Sequence, residues 1–352
     1  MTRLSPRPVP DGDSRPGDPC PRPEPVTRLP ILILYPHSRC NCRCLMCDIW
    51  KEKRILELTP GEVSRWRDEW RGLGVERVVL SGGEALMHSD PFALCRLLRE
   101  AGIGITLISS GLLLARHAAW IAEYVDDLVV SLDGPREVHD EIRNVPKAFD
   151  RLAAGVRSVR AARAAGAAGT ITARCTVQRR NAGRLRDTVA AARDLALDRI
   201  SFLAVDVSSE AFNRPGGVGA TPRETLALAP EELPLLEGEL GALERELAAE
   251  FETGFIAESP EKLRRRLLGY FTAVAGEGPF PTNVCNAPWV SSVVESDGTV
   301  RPCFFHAPLG NLRDAGNLAA VLNSPRAVAF RQTLDVATNP TCVRCVCTLA
   351  LR

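Results

Sequence analysis

Six short runs of branched aliphatic residues, each separated from the next by a helix-patterned stretch, constrain this chain more than any other feature. They are "LPILILY" (29–35), "ERVVLSG" (76–82), "GITLISSG" (104–111), "DDLVVSLDG" (126–134), "TITARCTV" (170–177) and "DRISFLAV" (198–205). Each is rich in Val, Ile and Leu with little alternation, as parallel strands covered by helices require. The segments between them carry helix punctuation. "TPGE" at 59–62 puts Thr59 at an N-cap, Pro60 at the first helical position and Glu62 at the third, and Gly74 closes that helix. "HSDPFALCRLLREAG" begins at Ser89 or Asp90 and ends at Gly102. The repeats predict an α/β domain with a parallel sheet. Pattern alone leaves an open doubly wound sheet and a partial barrel both available.

The pattern changes after residue 206. "VSSEAFNRPGGVGATP" reads as a loop, and Leu233, Leu236, Leu240, Leu243, Leu247 and Phe251 then form a helical stripe expected to pack on the domain. A further helical piece, "SPEKLRRRLLGYFTAV", starts at Ser259–Pro260. "SSVVESDGTVRPCFF" reads as a hairpin turned at Asp297–Gly298. The expected division is a disordered Pro-rich leader over 1–28, the strand-and-helix core over 29–220, a helical linker over 221–278 and a cysteine-bearing domain over 279–352. The leader has no apolar segment of the kind a signal peptide needs. With 44 basic against 43 acidic residues, a duplex nucleic-acid binder or polybasic membrane-surface protein is not expected. No run approaches the ~18 apolar residues of a membrane span, so a cytoplasmic protein is expected.

That compartment decides how the twelve cysteines are read. Under reducing conditions metal binding or redox chemistry is expected before disulfides. Cys95 and Cys175 lie alone in apolar segments and read as core residues; Cys20 lies in the leader. "HSRCNCRCLMCDIW" (37–50) sets Cys40, Cys44 and Cys47 as C-x3-C-x2-C with Cys42 interposed. Three thiolates on one loop suit a cubane iron–sulfur cluster whose remaining iron can bind a ligand. On spacing alone a zinc site completed by His37, or redox thiols, stays open. Near the other end, Cys285, Cys303, Cys342 and Cys345 describe a tetrathiolate site for zinc or a second cubane, with Cys347 spare or replacing Cys345.

The order of these parts resembles the radical S-adenosylmethionine (SAM) enzymes over roughly residues 29 to 205. The resemblance rests on the cysteine triad after a strand, a capped helix, "VVLSGGEALM" with Gly82, Gly83 and Glu84, and "VVSLDGPREVHDEIR" on the fourth strand. It implies a partial (β/α)6 TIM-like barrel and a [4Fe-4S] cluster whose open iron chelates SAM, which is cleaved to a 5′-deoxyadenosyl radical. It further implies that Gly82 and Gly83 let backbone approach the ligand and that Glu84 accepts from its ammonium group. Ser131 would reach the ribose or methionine portion and Arg143 the carboxylate, with Asp133 and Ser110 as neighbours for the same work. Met46 and Leu203 would flank the adenine, and Cys42 would be a bystander. The C-x12-G-x4-C element beginning at Cys285 resembles the SPASM and twitch extensions of these enzymes. It implies a small β-hairpin-plus-helix domain holding an auxiliary [4Fe-4S] cluster, the twitch form fitting the number of cysteines better.

By the same resemblance the expected activity is oxidation of a small molecule, as in twitch-containing aminocyclitol dehydrogenases, with flavodoxin or ferredoxin as electron donor. Two other readings stand beside it: a peptide-modifying maturase working with a separate recognition partner, and a non-enzymatic iron–sulfur electron carrier. His306, three residues after Cys303, is the candidate proton acceptor. Arg174 is a candidate anchor for an anionic or hydroxylated substrate if it faces the barrel interior.

Overall fold

The computed structural model of this protein describes residues 24–163 and 169–351. Six strands run parallel in chain order: β1 (Ile31–Leu34), β2 (Arg77–Leu80), β3 (Gly104–Ser109), β4 (Asp127–Ser131), β5 (Thr170–Val177) and β6 (Arg199–Ala204). Between them lie α1 (Pro60–Gly72), α2 (Pro91–Glu100), α3 (Leu114–Tyr124), α4 (Arg136–Arg143), α5 (Ala148–Ala162) and α6 (Leu185–Asp194). Among the described residues the sheet does not close; the edge at β6 carries an isolated parallel bridge, Ile200 to Ile256. The architecture is therefore a partial barrel.

Local signals account for the helix starts. Thr59 and Glu62 form the reciprocal capping box, with Glu62 N 3.2 Å from Thr59 Oγ1 and Thr59 N 2.8 Å from Glu62 Oε2. Asp90 caps α2 through Ala93 N at 2.9 Å. Alternation along β5 separates two faces: Ile171, Ala173, Cys175 and Val177 are buried in the core, whereas Thr170, Thr172, Arg174 and Thr176 lie on the inner face and are only partly covered. Cys95 and Cys175 are core residues, as expected.

The C-terminal hairpin does more than decorate this sheet. β7 (Ser291–Val294) pairs parallel with β1, from Ile31 opposite Ser291 to Leu34 opposite Val294. β8 (Thr299–Arg301) returns antiparallel around the turn at Gly298, whose φ is +85°, and β9 (Gly310–Asn311) follows. Every residue of β7 is buried, so the strand belongs to the same sheet.

The apolar stripe breaks at Leu247 into helices Leu233–Glu246 and Ala248–Glu252, the first packing on α6. The next helix begins with Ser259 capping Lys262 N, then passes through a π-helical segment, Arg264–Leu268, that the sequence pattern did not announce. Most of the expected leader, with Cys20, lies outside the described residues. Its last part is fixed: Val26 exchanges hydrogen bonds of 2.9 and 3.0 Å with the Asn323 side chain, and Glu24 pairs with Arg331.

Candidate active site

Beyond β1 the chain leaves the sheet at its C-terminal edge and forms the cysteine loop. Two contacts hold that loop. Arg43 N and Leu45 N donate to Arg143 O and Ile142 O at 3.2 and 3.0 Å, taking up carbonyls that the end of α4 leaves unpaired. Asp48 N donates to Phe212 O at 3.0 Å, and Asn213 Nδ2 donates to Asp48 O at 3.2 Å. The loop is thus fixed between α4 and the segment after β6.

Cys40, Cys44 and Cys47 share one neighbourhood with Met46, Leu112 and Ala148. Cys42 is packed there too, 1% exposed. Hydrogen bonding to Cys40 pushes the Cys42 thiol up to about 12, and burial pushes Cys47 up to about 11. These thiols favour their neutral form until a cation joins them; bound iron reverses that preference. Arg143 Nη1 lies 3.6 Å from Cys44 Sγ, and its Nη2 pairs at 2.5 Å with Asp133, a fully buried carboxylate that also accepts from Thr176 N at 2.9 Å.

Gly82 and Gly83 are required by the protein itself. Gly82 has φ +97°, and a Cβ there would sit 2.6 Å from the Tyr35 ring; at Gly83 it would lie 2.1 Å from Arg39 O. The glycines therefore let the loop after β2 press against the cysteine loop. Glu84 is 1% exposed and accepts from Ser110 Oγ at 2.6 Å, Ser110 N at 2.8 Å, and Ser109 Oγ at 3.0 and 3.1 Å. These donors take up most of the carboxylate's acceptor capacity. Among the described residues Glu84 ties β3 to the glycine loop, with Ser110 as its partner. Burial holds its pKa above the ordinary value.

Ser131 ends β4 opposite Arg174, and Leu203 stands on β6 opposite Thr176, so the strand ends bring all four to one side of the sheet. Arg174 Nε has no hydrogen-bond partner among the described residues.

The C-terminal cysteines also assemble. The Cys303 thiol, pushed up to about 12 by burial, faces Cys285 and Cys342; Cys345 faces Cys347, Cys285 and Cys303. Asn283 Nδ2 gathers Cys342 O at 2.6 Å and Cys345 O at 3.1 Å, while Asn286 bonds Leu349 and Leu351 near the chain end. His306 Nε2 is 3.3 Å from Cys342 Sγ, its ring edge-on to Phe330. Among the described residues, no three His, Cys, Asp or Glu side chains converge as chelation of a single metal ion needs.

Comparison with known families agrees. A model described as the radical SAM superfamily matches residues 34–179, and one described as an iron–sulfur cluster-binding domain, SPASM, matches residues 285–346. This chain is a radical SAM domain joined to a SPASM-type domain. An AdoMet-dependent heme synthase of Methanosarcina barkeri is 32% identical over 176 residues, which are 48% of this chain and 49% of that protein. The chain thus spans about half the length of that relative. A PqqA peptide cyclase of Ruegeria pomeroyi is 27% identical over 289 residues, 80% of this chain and 69% of that one. The solved structure of Streptococcus suis SuiB bound to S-adenosylmethionine shares the fold, with a TM-score of 0.63 at 16% identity, covering 91% of this chain and 72% of its own.

Between the radical SAM and SPASM domains lies an open cleft of about 520 Å³, lined by Tyr35, Gly83 and Phe212 from the first and Phe304 and His306 from the second. Tyr35 stacks on Phe304 with ring centroids 6.1 Å apart. Sequence reasoning missed Tyr35, Ser109, Arg214 and Asn283. Ser109 was visible as the first serine of "LISSG". Arg214, ion-paired with buried Asp206 and facing Cys47, had no signal beyond a loop arginine. No described helix is long and apolar enough to cross a membrane.

Proposed function

We propose that this protein is a radical SAM oxidoreductase that removes two electrons and two protons' worth of hydrogen from a small organic substrate seated in the cleft. One observation carries the reading: the cleft takes its walls from both domains, Tyr35 and Gly83 coming from the first and Phe304 and His306 from the second. Its volume of about 520 Å³ falls within the usual range for small-molecule sites.

When bound at Cys40, Cys44 and Cys47, a reduced [4Fe-4S] cluster with SAM supplies a 5′-deoxyadenosyl radical able to take a hydrogen atom from a C–H bond. Arg143 and Ser131 hold the polar end of SAM, and Met46 and Leu203 border its adenine. Phe212, Phe304 and Tyr35 offer an aromatic face to the carbon skeleton of the substrate. Cys285, Cys303, Cys342 and Cys345 would hold a second cluster, which would supply an acceptor for the remaining electron. His306 takes the departing proton at Nδ1, since Nε2 faces Cys342 Sγ. Burial lowers the His306 pKa, which keeps the ring neutral and able to accept. A flavodoxin or ferredoxin delivers the initiating electron.

The test is 5′-deoxyadenosine formation by anaerobically reconstituted, reduced protein beside its Cys44→Ala variant. Product from the wild type alone, increased by a hydroxylated substrate, supports the reading. No product from iron-loaded wild type across the substrate panel would overturn it in favour of an electron carrier. A His306→Ala enzyme with full turnover would remove His306 from the scheme. A second reading, a peptide substrate, is favoured by the peptide cyclase match, which runs across both domains whereas the heme synthase match covers 48% of the chain. Stimulation by peptides and not by small hydroxylated molecules would select it.

A further inference from the structure

Arg266 lies in the π-helical segment Arg264–Leu268, where the wider turn shifts the phase of the helix. Its neighbour Arg264 reaches outward to Glu244 at 2.9 Å. Arg266 turns the other way, into the SPASM domain. Its Nη1 donates to Asn283 Oδ1 and its Nη2 to Thr348 Oγ1. Asn283 in turn donates through Nδ2 to Cys342 O and Cys345 O. The guanidinium therefore forms the keystone of a bracket around the C-x2-C turn.

What it lacks is a carboxylate. Both hydrogen-bond acceptors are neutral, and among the described residues no Asp or Glu pairs with it. Withdrawal from water and the adjacent Arg265 disfavour its charge, while the thiols of Cys345, Cys347 and Cys285 favour it. A half-buried guanidinium without a countercharge is disfavoured, yet here the fold holds it by two hydrogen bonds. The missing negative charge is supplied by the cysteines as thiolates around iron, because a four-thiolate iron–sulfur cluster carries net negative charge in both of its ordinary redox states.

We propose that Arg266 is the countercharge of the auxiliary cluster, raising its reduction potential so that it accepts the electron left by substrate oxidation. This rests on the reading that the C-terminal cysteines hold an iron–sulfur cluster, and the experiment separates the two. In full-length protein with Cys40, Cys44 and Cys47 all changed to Ala, any remaining cubane belongs to the second set. Absence of iron and of a reduced-cluster EPR signal there would overturn the cluster reading and this proposal with it.

With the signal present, its midpoint potential is measured in that background and in added Arg266→Gln and Arg266→Lys variants. The Gln variant is expected to lower the equilibrium constant for reduction about tenfold, about 59 mV for a one-electron couple. The Lys variant, which keeps the charge, is expected to stay near the parent value. Unshifted potentials in both would overturn the proposal and leave Arg266 a purely structural bracket. If the Gln protein loses its cluster, the Lys protein decides: a retained cluster near the parent potential supports the charge role, and a lost one overturns it.

Discussion

At Gly83 the constraint is a contact measured in tenths of an ångström. A Cβ placed there would lie 2.1 Å from Arg39 O, and the obstacle is backbone, one residue before Cys40. Neither side can yield without moving the first thiol, since Glu84 N also donates to that carbonyl at 2.9 Å. Gly83→Ala is therefore expected to keep its fold but lose the first cluster. Reconstituted protein should fall from roughly eight irons per chain to about four, counted alongside the SAM-binding signal. An alanine variant with full iron would show that the cysteine loop is softer than its packing implies. Sequence reasoning singled out Gly83 for close approach of backbone to a ligand; the approach to the Arg39 carbonyl is a second demand that joins residues 44 positions apart and could not be read from the motif.

At the scale of elements, α1 fastens the two domains. Glu62, third in the helix, serves its capping box and also accepts from Arg313 Nε at 2.6 Å, while Glu69, on the same face, accepts from Leu318 N and Ala319 N at 3.0 and 2.8 Å. Burial alone would raise the Glu62 pKa; the hydrogen bonds from Arg313 and Thr59 outweigh it and hold the group below its ordinary 4.5. Its contribution is accordingly complete above that ordinary value and is lost as pH falls through the lowered folded-state value, where the unfolded chain binds the proton more readily. Glu62→Gln is expected to cost about 1 kcal/mol at neutral pH and to flatten the acid limb of stability, read by urea denaturation of the apoprotein between neutral pH and pH 4. An acid limb as steep as that of the parent would mean the carboxylate does not couple to folding.

The capping box itself was legible, because four consecutive residues encode it, and so were all six parallel strands. The Arg313 contact was not, since it joins positions 251 residues apart. The π-helical turn at Arg264–Leu268 escaped for a different reason: its residues are good helix formers, and only the pull of Asn283 and Thr348 reveals the altered phase.

Across the whole molecule, β7 matters most. By covering β1 it removes an exposed strand edge from the radical SAM domain and carries the SPASM cysteines to the mouth of the sheet. A chain ended after residue 278 is expected to be aggregated or oligomeric by size-exclusion chromatography, whereas full-length protein lacking only its C-terminal thiols stays monomeric. A soluble, monomeric truncation would show that β1 tolerates an open edge. The cysteine motifs could be matched to chemistry from sequence, but nothing in "SSVVES" distinguishes a hairpin arm from a strand that completes a distant sheet.

That same pairing imposes a timetable. β1 leaves the ribosome first, and its partner β7 is synthesised on the order of tens of seconds later at ordinary elongation rates. Throughout that interval the first cysteine loop hangs on an unfinished sheet, its thiols open to oxidation and to the wrong metal. Iron delivery to the first site is thereby drawn towards the moment β7 joins β1, and a cell making this protein would need its cluster-assembly carriers waiting for that pairing.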